Sequence, residues 1–225
     1  HRRRHSFPTR RSSDLLTAWL LHIKGLHTGL ACADGLYLDQ RCLQTHNAMD
    51  FEQAQRLLIN RSVQAAVFES TTRLLMTQGT PYDRCQVGIV TRMPKAAGLE
   101  DLYAGPDEKI PSYVRTQIDL VLDHGFAVLN AADEAVADLA QYSDGGVIFY
   151  DEDGQSPVLV KHRDSGGRAV FARDGRIVMA DGETETLAAS LDRIQKTAAE
   201  IIAALQSSHE QAVADQITDT AGAPP

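Results

Sequence analysis

The chain has 225 residues, of which 43% are hydrophobic and 23% charged, and its formal net charge is -8. This length and balance are typical of one globular domain with a sizeable core, or of one and a half domains. No apolar run approaches the roughly 20 residues that cross a bilayer, and the first residues lack the apolar stretch of a signal peptide. We therefore expect no membrane partner and a cytoplasmic compartment.

The basic residues are unevenly distributed. Five of the 22 lie in the first eleven positions, within HRRRHSFPTRRSSDL (residues 1–15), a stretch that is similar to a translated sequencing adapter. The alternative is a natural basic arm that binds phosphates. As an artefact, residues 1–15 should have no ordered structure. Without Arg2 to Asp14, 17 basic and 29 acidic residues remain, and we do not expect so acidic a chain to bind nucleic acid.

The three cysteines suggest neither a disulfide framework nor a zinc site. Cys32, Cys42 and Cys85 are odd in number and have no Cys-x-x-Cys spacing. We expect them to be reduced and to pack as small apolar side chains.

The first half of the chain predicts helices and strands in alternation. Apolar residues recur at helical spacing at Leu16, Trp19, Leu20 and Ile23. A strand over Thr28–Ala33 is joined by an Asp-Gly turn to a strand over Leu36–Leu38. A helix over Phe51–Leu58 and a strand over Val63–Phe68 follow, and Glu69 lies directly after this strand.

Two later stretches are typical of buried parallel strands that end in polar residues. They are YDRCQVGIVT (Tyr82–Thr91) and GFAVLNAAD (Gly125–Asp133), separated by a predicted helix over Ile110–Leu122. We expect both strands to be central in an α/β sheet, with Asn130 and Asp133 at the ligand crevice. The same two residues are natural caps for a helix over Glu134–Tyr142, and both roles stay open.

The last third predicts short strands and then a long helix. The predicted strands, each separated from the next by a glycine turn, are Val147–Tyr150, Val158–Lys161, Ala169–Ala172 and Ile177–Ala180. An amphipathic helix is predicted over Thr186–Gln216. We therefore expect an α/β domain over residues 16–185, with a mostly parallel sheet flanked by helices and a small antiparallel region. Residues 186–225 should form a C-terminal helix and tail.

Four motifs, in order, resemble the Mur-ligase-type module of cyanophycin synthetases. They are ADGLYL (Ala33–Leu38), YDRCQVGIV (Tyr82–Val90), GFAVLNAAD (Gly125–Asp133) and GGRAV (Gly166–Val170). The resemblance runs from about Leu15 to Glu185. It implies a Mur-ligase-like central domain and an ATP-dependent amide ligase that builds an Asp/Arg polymer through an acyl phosphate.

The resemblance also implies ligands and partners. Glu69 corresponds to a residue that helps to hold Mg²⁺, and Asn130 and Asp133 correspond to contacts to the adenine and ribose of ATP. The implied partners are ATP, aspartate or arginine, or a cyanophycin chain, and a homo-oligomer is also compatible with the sequence.

Several signatures of the family are missing. The printed sequence has no G-x-x-G-K-T phosphate loop, and Arg73 and Leu74 stand where the family has two glycines. Ala96 lies in a loop that carries histidine in the family, and Val114 lies near the position of the family's lysine. We therefore assign no catalytic residue. The chain is interpreted as an inactive ligase fragment that binds ATP and Mg²⁺ weakly at best, or alternatively as a non-catalytic relative with a structural or binding role.

Overall fold

A computed structural model describes residues 11–102 and 106–196 and, beyond these, residues 200, 203, 207, 208 and 211. The chain divides into two compact units. The first ends at Leu74 and resumes at Lys196, and the second runs from Leu75 to Gln195. This division falls inside the span 16–185, which the sequence analysis treats as one domain.

The first unit is built around a four-stranded sheet with the order β3-β2-β1-β4. β1 pairs antiparallel with β2 and parallel with β4. The elements of this unit are α1 (Arg11–Ile23), β1 (Thr28–Cys32), β2 (Gly35–Leu38), β3 (Arg41–Gln44), α2 (Phe51–Leu58) and β4 (Ala65–Phe68), and α3 (Thr72–Thr77) lies across the boundary.

Both faces of this sheet are covered by helices. On one face, Leu15 and Ala18 of α1 pack with Leu30, Cys32, Tyr37 and Cys42. On the other face, Leu57 of α2 packs with Ala31, Leu36 and Ala48. Asp50 caps α2, and its side chain accepts a hydrogen bond from the backbone N–H of Gln53 at 2.8 Å. The predicted bounds of α2 are confirmed.

The structure corrects the predicted packing of the first helix. Leu20 and Ile23 were expected on its buried stripe but are 53% and 61% exposed, whereas Leu15 and Ala18 are buried. Leu16 and Trp19 of the predicted stripe pack partly against the same cluster, so the buried face of α1 is centred about one position earlier than predicted. Residues 11–15 are thus helical, contrary to the expectation for the adapter-like stretch, and residues 1–10 lie outside the described part of the chain.

The second unit contains a six-stranded sheet with the order β10-β9-β8-β7-β6-β5. β5 to β8 are parallel to one another, and β9 and β10 continue the sheet as antiparallel strands. The elements are β5 (Cys85–Val90), α4 (Ile110–Val114), α5 (Thr116–Asp119), β6 (Val121–Asn130), α6 (Glu134–Ala137), β7 (Gly146–Tyr150), α7 (Pro157–Asp164), β8 (Arg168–Arg173), β9 (Arg176–Asp181) and β10 (Thr184–Ser190). Three 3-10 helices cover Glu100–Leu102, Asp107–Lys109 and Asp138–Tyr142.

The core of the second unit lies on one face of its sheet. Alternate strand residues such as Ala127, Leu129 and Phe149 are buried there, and residues of α4 to α7 pack on them, including Ile118 and Leu159. The helix predicted over Ile110–Leu122 is divided into α4 and α5, and β6 begins four residues earlier than Gly125, at Val121.

Three further predictions for this unit were wrong. The Tyr82–Thr91 strand is not central, since β5 is the edge of the described sheet. Val158–Lys161 is helical, because a right-handed crossover must join the parallel strands β7 and β8 and Pro157 suits the first turn of that helix. Thr186 to Ser190 belong to β10, where they pair with β9, and described helix begins only at 191–196.

The α/β class predicted from the sequence is confirmed. The described strands form two sheets rather than one, and each contains parallel pairs flanked by helices. No helix in the described ranges is long and apolar enough to cross a membrane.

Candidate functional site

The carboxyl ends of β5, β6 and β7 form one edge of the second unit. Parallel pairing places Val90 beside Leu129 and Asn130 beside Tyr150. The loops that follow these strands therefore meet at this edge, the usual location of a ligand crevice in an α/β sheet. Both nucleotide candidates, Asn130 and Asp133, lie here, as the sequence predicts.

Asn130 joins two of these loops. Its side-chain N–H donates to the carbonyl oxygen of Thr91 at 3.0 Å, and its Oδ1 accepts from the backbone N–H of Ala132 at 3.0 Å. The amide therefore links the end of β5 to the turn after β6. One N–H and one lone pair of this half-buried side chain are left for a ligand.

Asp133 has a similar double role. Its Oδ2 accepts from the backbone N–H of Met93 at 2.8 Å, and its Oδ1 accepts from the backbone N–H of Val136 at 3.3 Å. The second bond caps α6, which confirms the capping role for Asp133 but not for Asn130. The first holds the loop after β5 against the α6 terminus, so this carboxylate stabilises the crevice wall through both of its oxygens.

The loop after β7 adds residues that the sequence analysis did not select. Burial, and secondarily the charge of Asp133, raises the pKa of Tyr150. Asp151 accepts from the backbone N–H groups of Gly154 and, at 2.9 Å, Ser156, while Ser156 Oγ donates to the carbonyl of Ala131 at 2.8 Å. An Asp directly after a buried strand and before Asp-Gly is the signal that could have identified this turn.

The loop that follows β5 offers few groups for phosphate. Arg92 and Lys95 are exposed, and Ala96 uses its backbone N–H to donate to Asp107 Oδ1 at 2.6 Å. The described residues of this crevice therefore provide fixed loops and two exposed cations, but no glycine-rich turn of successive free N–H groups that could hold a triphosphate. They do not fit tightly bound ATP.

Glu69 lies in the first unit, directly after β4. Its Oε2 accepts from the backbone N–H of Ala33 at 2.8 Å, so the carboxylate links the ends of the parallel strands β1 and β4. Burial, and secondarily the charge of Glu69, raises the pKa of Asp14 to about 6. Among the described residues, no group of three or more His, Cys, Asp or Glu side chains is arranged to hold a metal ion. The role of Glu69 in holding Mg²⁺ stays a prediction.

The residues after Glu69 differ from the motif that the resemblance implies. Thr72, Arg73 and Leu74 form the first turn of α3, and both Thr72 and Leu74 are buried. A buried leucine at a position where glycine would permit close backbone approach reduces the room for a ligand beside Glu69.

Comparison with known proteins gives consistent sequence similarity. No protein-family profile matches the chain. It is 26% identical over 171 residues to the cyanophycin synthetase of Crocosphaera subtropica, a match that covers 75% of this chain and 19% of that protein. The cyanophycin synthetases of Synechocystis sp. and Nostoc sp. are 26% and 23% identical over 171 residues, each match covering 74% of this chain and 19% of the relative.

The chain also has a weak likeness to a solved structure. The UDP-N-acetylmuramoylalanyl-D-glutamyl-2,6-diaminopimelate-D-alanyl-D-alanyl ligase of Acinetobacter baumannii superposes with a TM-score of 0.44 at 12% identity, covering 88% of this chain and 40% of that chain. The chain spans about a fifth of the length of the curated relatives it matches. The resemblance found in its motifs is confirmed: over about three quarters of its length, this chain is similar to a section of cyanophycin synthetases.

Proposed function

We propose that the chain is a cyanophycin synthetase-like section of an ATP-dependent amide ligase that does not catalyse amide formation by itself. The observation that carries this proposal is the use of Asn130 and Asp133 within the protein. Both of the Asp133 carboxylate oxygens accept backbone N–H groups, and Asn130 joins two loops. The crevice scaffold of a ligase is kept, while the groups that would hold a triphosphate are not supplied by the described residues.

An energetic estimate supports weak nucleotide binding. Asn130 and Asp133 could each offer a nucleotide one contact worth on the order of 1 kcal/mol net. Two such contacts correspond to an affinity weaker than millimolar. Aspartate, arginine and a cyanophycin chain are the substrates that the similarity suggests for the longer protein, and we propose that this chain does not join them.

Calorimetric titration with Mg-ATP tests this proposal. We expect no saturable binding below the millimolar range, and the Asp133→Ala variant should give the same heats as the unchanged chain. A low micromolar dissociation constant that this variant weakens would contradict the proposal. Release of ADP in the presence of ATP, aspartate and arginine would contradict it as well.

A non-catalytic binding role is the second candidate. It is favoured by a separate observation, since Val87 and Ile89 in the second unit's sheet are exposed apolar side chains.

A further inference from the structure

The chain contains five Asp-Gly pairs. In such a pair the aspartate can close into a succinimide ring, because glycine has no side chain to shield its backbone nitrogen. The pairs are Asp34-Gly35, Asp144-Gly145, Asp153-Gly154, Asp174-Gly175 and Asp181-Gly182. In a folded protein, ring closure requires that the glycine nitrogen can turn toward the carboxyl group that precedes it. The five pairs differ in this freedom.

Three of the glycines are buried. They are Gly35, Gly154 and Gly182. The backbone N–H of Gly154 donates to Asp151 Oδ1, and that of Gly182 donates to the carbonyl oxygen of Gly167 at 3.0 Å. Turning either nitrogen toward its aspartate would break a hydrogen bond in a buried part of the chain, which costs free energy.

Gly145 is half-buried and packs closely on β6. A Cβ added to it would collide with the carbonyl oxygens of Leu122 and Gly125. Asp144, which precedes it, is exposed and lies 3.5 Å from Arg84 in an ion pair. The peptide between Asp144 and Gly145 therefore has little room to rotate, although its aspartate is accessible to water.

Gly175 is in a different position. Asp174 and Gly175 are both exposed and form the two-residue turn between β8 and β9, which Arg173 and Arg176 close as a pair. A Cβ added to Gly175 would meet no atom within 4 Å. Among the described residues, no hydrogen-bond acceptor binds the backbone N–H of Gly175. Its nitrogen is therefore free to approach the Asp174 carboxyl group.

Asp39 provides a comparison within the same chain. The φ angles of Asp174 and Asp39 are 49° and 52°, in the left-handed region that residues other than glycine seldom adopt. The carboxylate of Asp39, however, accepts three hydrogen bonds, and the next residue is Gln40. Asp39 thus has the same backbone conformation as Asp174 without the free glycine nitrogen.

We propose that Asp174 is the residue at which this chain isomerises to isoaspartate. The turn between β8 and β9 selects it from the five Asp-Gly pairs, because its glycine alone is exposed and unobstructed. The crevice residues Asn130 and Asp133 take no part, so this inference is independent of the nucleotide proposal.

The reaction needs only water. The nitrogen of Gly175 attacks Cγ of Asp174, a C–N bond forms, the bond from Cγ to the carboxyl hydroxyl breaks, and one water leaves with the proton of that nitrogen. Water then adds to the main-chain carbonyl carbon of the succinimide and breaks its bond to the nitrogen. The product has the same atoms as the original chain, with the peptide linked through Cγ and a free carboxylate on Cα.

The product has a longer turn. One additional carbon atom enters the main chain between β8 and β9, whereas a two-residue turn joins its strands with a defined length and twist. Arg173, the last residue of β8, donates to the two carboxylate oxygens of Glu185 at 2.6 and 3.0 Å. We expect the isomerised chain to lose hydrogen-exchange protection where β8 and β9 meet the turn.

Peptide mapping of the full chain tests the site. After long incubation at neutral pH, cleavage at lysine gives a peptide of residues 162–196, which contains both Asp174-Gly175 and Asp181-Gly182. Electron-transfer fragmentation distinguishes isoaspartate from aspartate at each position. We expect several-fold more isoaspartate at Asp174 than at any other Asp-Gly pair or at Asp39.

The same chain in concentrated urea is the matched control. Unfolding removes the burial and the hydrogen bonds that hold the other four glycines, so all five pairs should react at similar rates there. The same pattern in the native and the unfolded chain would overturn the proposal. Native Asp144 or Asp39 reacting as fast as Asp174 would also overturn it, because neither has a free glycine nitrogen beside it.

Two variants test the chemistry at the turn. Asp174→Asn keeps a favoured Asn-Gly turn and should form isoaspartate faster, because an amide carbon is attacked more readily than an ionised carboxylate. Gly175→Asn suits a left-handed backbone but places a side chain beside the nitrogen, so isoaspartate at Asp174 should fall several-fold. Unchanged rates in these variants would contradict attack by the Gly175 nitrogen.

Hydrogen exchange tests the longer turn. After equal incubation, amides of residues 168–181 should exchange faster in the unchanged chain than in the Gly175→Asn variant, because only the unchanged chain accumulates isoaspartate. Freshly prepared samples of both chains give the starting values. An increase on incubation that is equal in the two chains would contradict the effect of isoaspartate on the turn.

Discussion

The two sheets of this protein differ in how their faces are covered. In the first unit, α1 packs on one face of the sheet and α2 on the other. In the second unit, all residues of the core, including those of α4 to α7, lie on one face, and the other face exposes Val87, Ile89 and Met179.

The order of the connections explains it. β5, β6, β7 and β8 are adjacent and follow one another in a single direction across the sheet. Because a crossover between parallel strands is right-handed, all helices of such a run lie on the same face. In the first unit, α1 precedes β1 and α2 lies in the connection from β3 to β4. In the second unit, the helices that connect its parallel strands pack on one face, and Val87, Ile89 and Met179 are exposed on the other.

The largest expected effect is at the covered face of the second unit. Leu129→Ala removes a fully buried side chain and should lower the free energy of unfolding by about 2 to 5 kcal/mol. Val128→Ala, one residue earlier on the opposite face of the sheet, should lower it by about 1 kcal/mol or less, since that side chain is only half-buried. Urea unfolding measures both. Similar losses would show that the face carrying Val128 is covered as well as the face carrying Leu129.

In the first unit, substitutions on either face of the sheet should lower the free energy of unfolding. Leu30 packs under α1 and Leu36 packs on the α2 side, and they are 2% and 1% exposed. Each substitution to alanine should therefore lower the free energy of unfolding by about 2 to 4 kcal/mol. Thermal or urea unfolding provides the measurement. A small loss for one of them would mean that this sheet, too, is covered on one face only.

The smallest effect concerns a partly buried carboxyl group of α1 itself. Burial, followed by the charge of Glu69, raises the pKa of Asp14 from 3.8 to about 6. Between these values the folded state binds more protons than the unfolded state, so its stability falls as pH rises and is constant above about pH 6. Asp14→Asn should therefore stabilise the protein by roughly 1 to 3 kcal/mol at pH 7 and by little at pH 4.

Unfolding curves at these two pH values measure this change. Asp39 is a useful comparison, because its pKa is shifted in the opposite direction. Burial would raise it, but hydrogen bonds from His27, Thr28 and His22 together lower it. Its contribution is therefore lost as pH falls through about 4 and below, a lower range than that of Asp14. An Asp14→Asn profile that ran parallel to that of the unchanged chain would show that Asp14 is exposed in solution.

The sequence located most elements through local rules. The alternation of apolar residues identified β1, β6, β8 and β9, and α2 was found with its bounds, because a short amphipathic pattern between turn residues has one reasonable local structure. Asp133 was identified as a cap for the same reason, since a cap depends on backbone N–H groups only three residues away. The α/β class and the similarity to cyanophycin synthetases followed from these patterns and motifs.

Tertiary structure decided what local patterns could not. The Val158–Lys161 run favours a strand locally but is helical, because the chain must cross from β7 to β8. Thr186 to Ser190 fit a helical stripe but extend the sheet, because the edge of β9 offers hydrogen-bond partners. The bond from Met93 to Asp133 joins residues forty positions apart. The exposure of Val87, Ile89 and Met179 was not visible in the sequence, because a strand with apolar residues on both sides has the same pattern whether one face or two are covered.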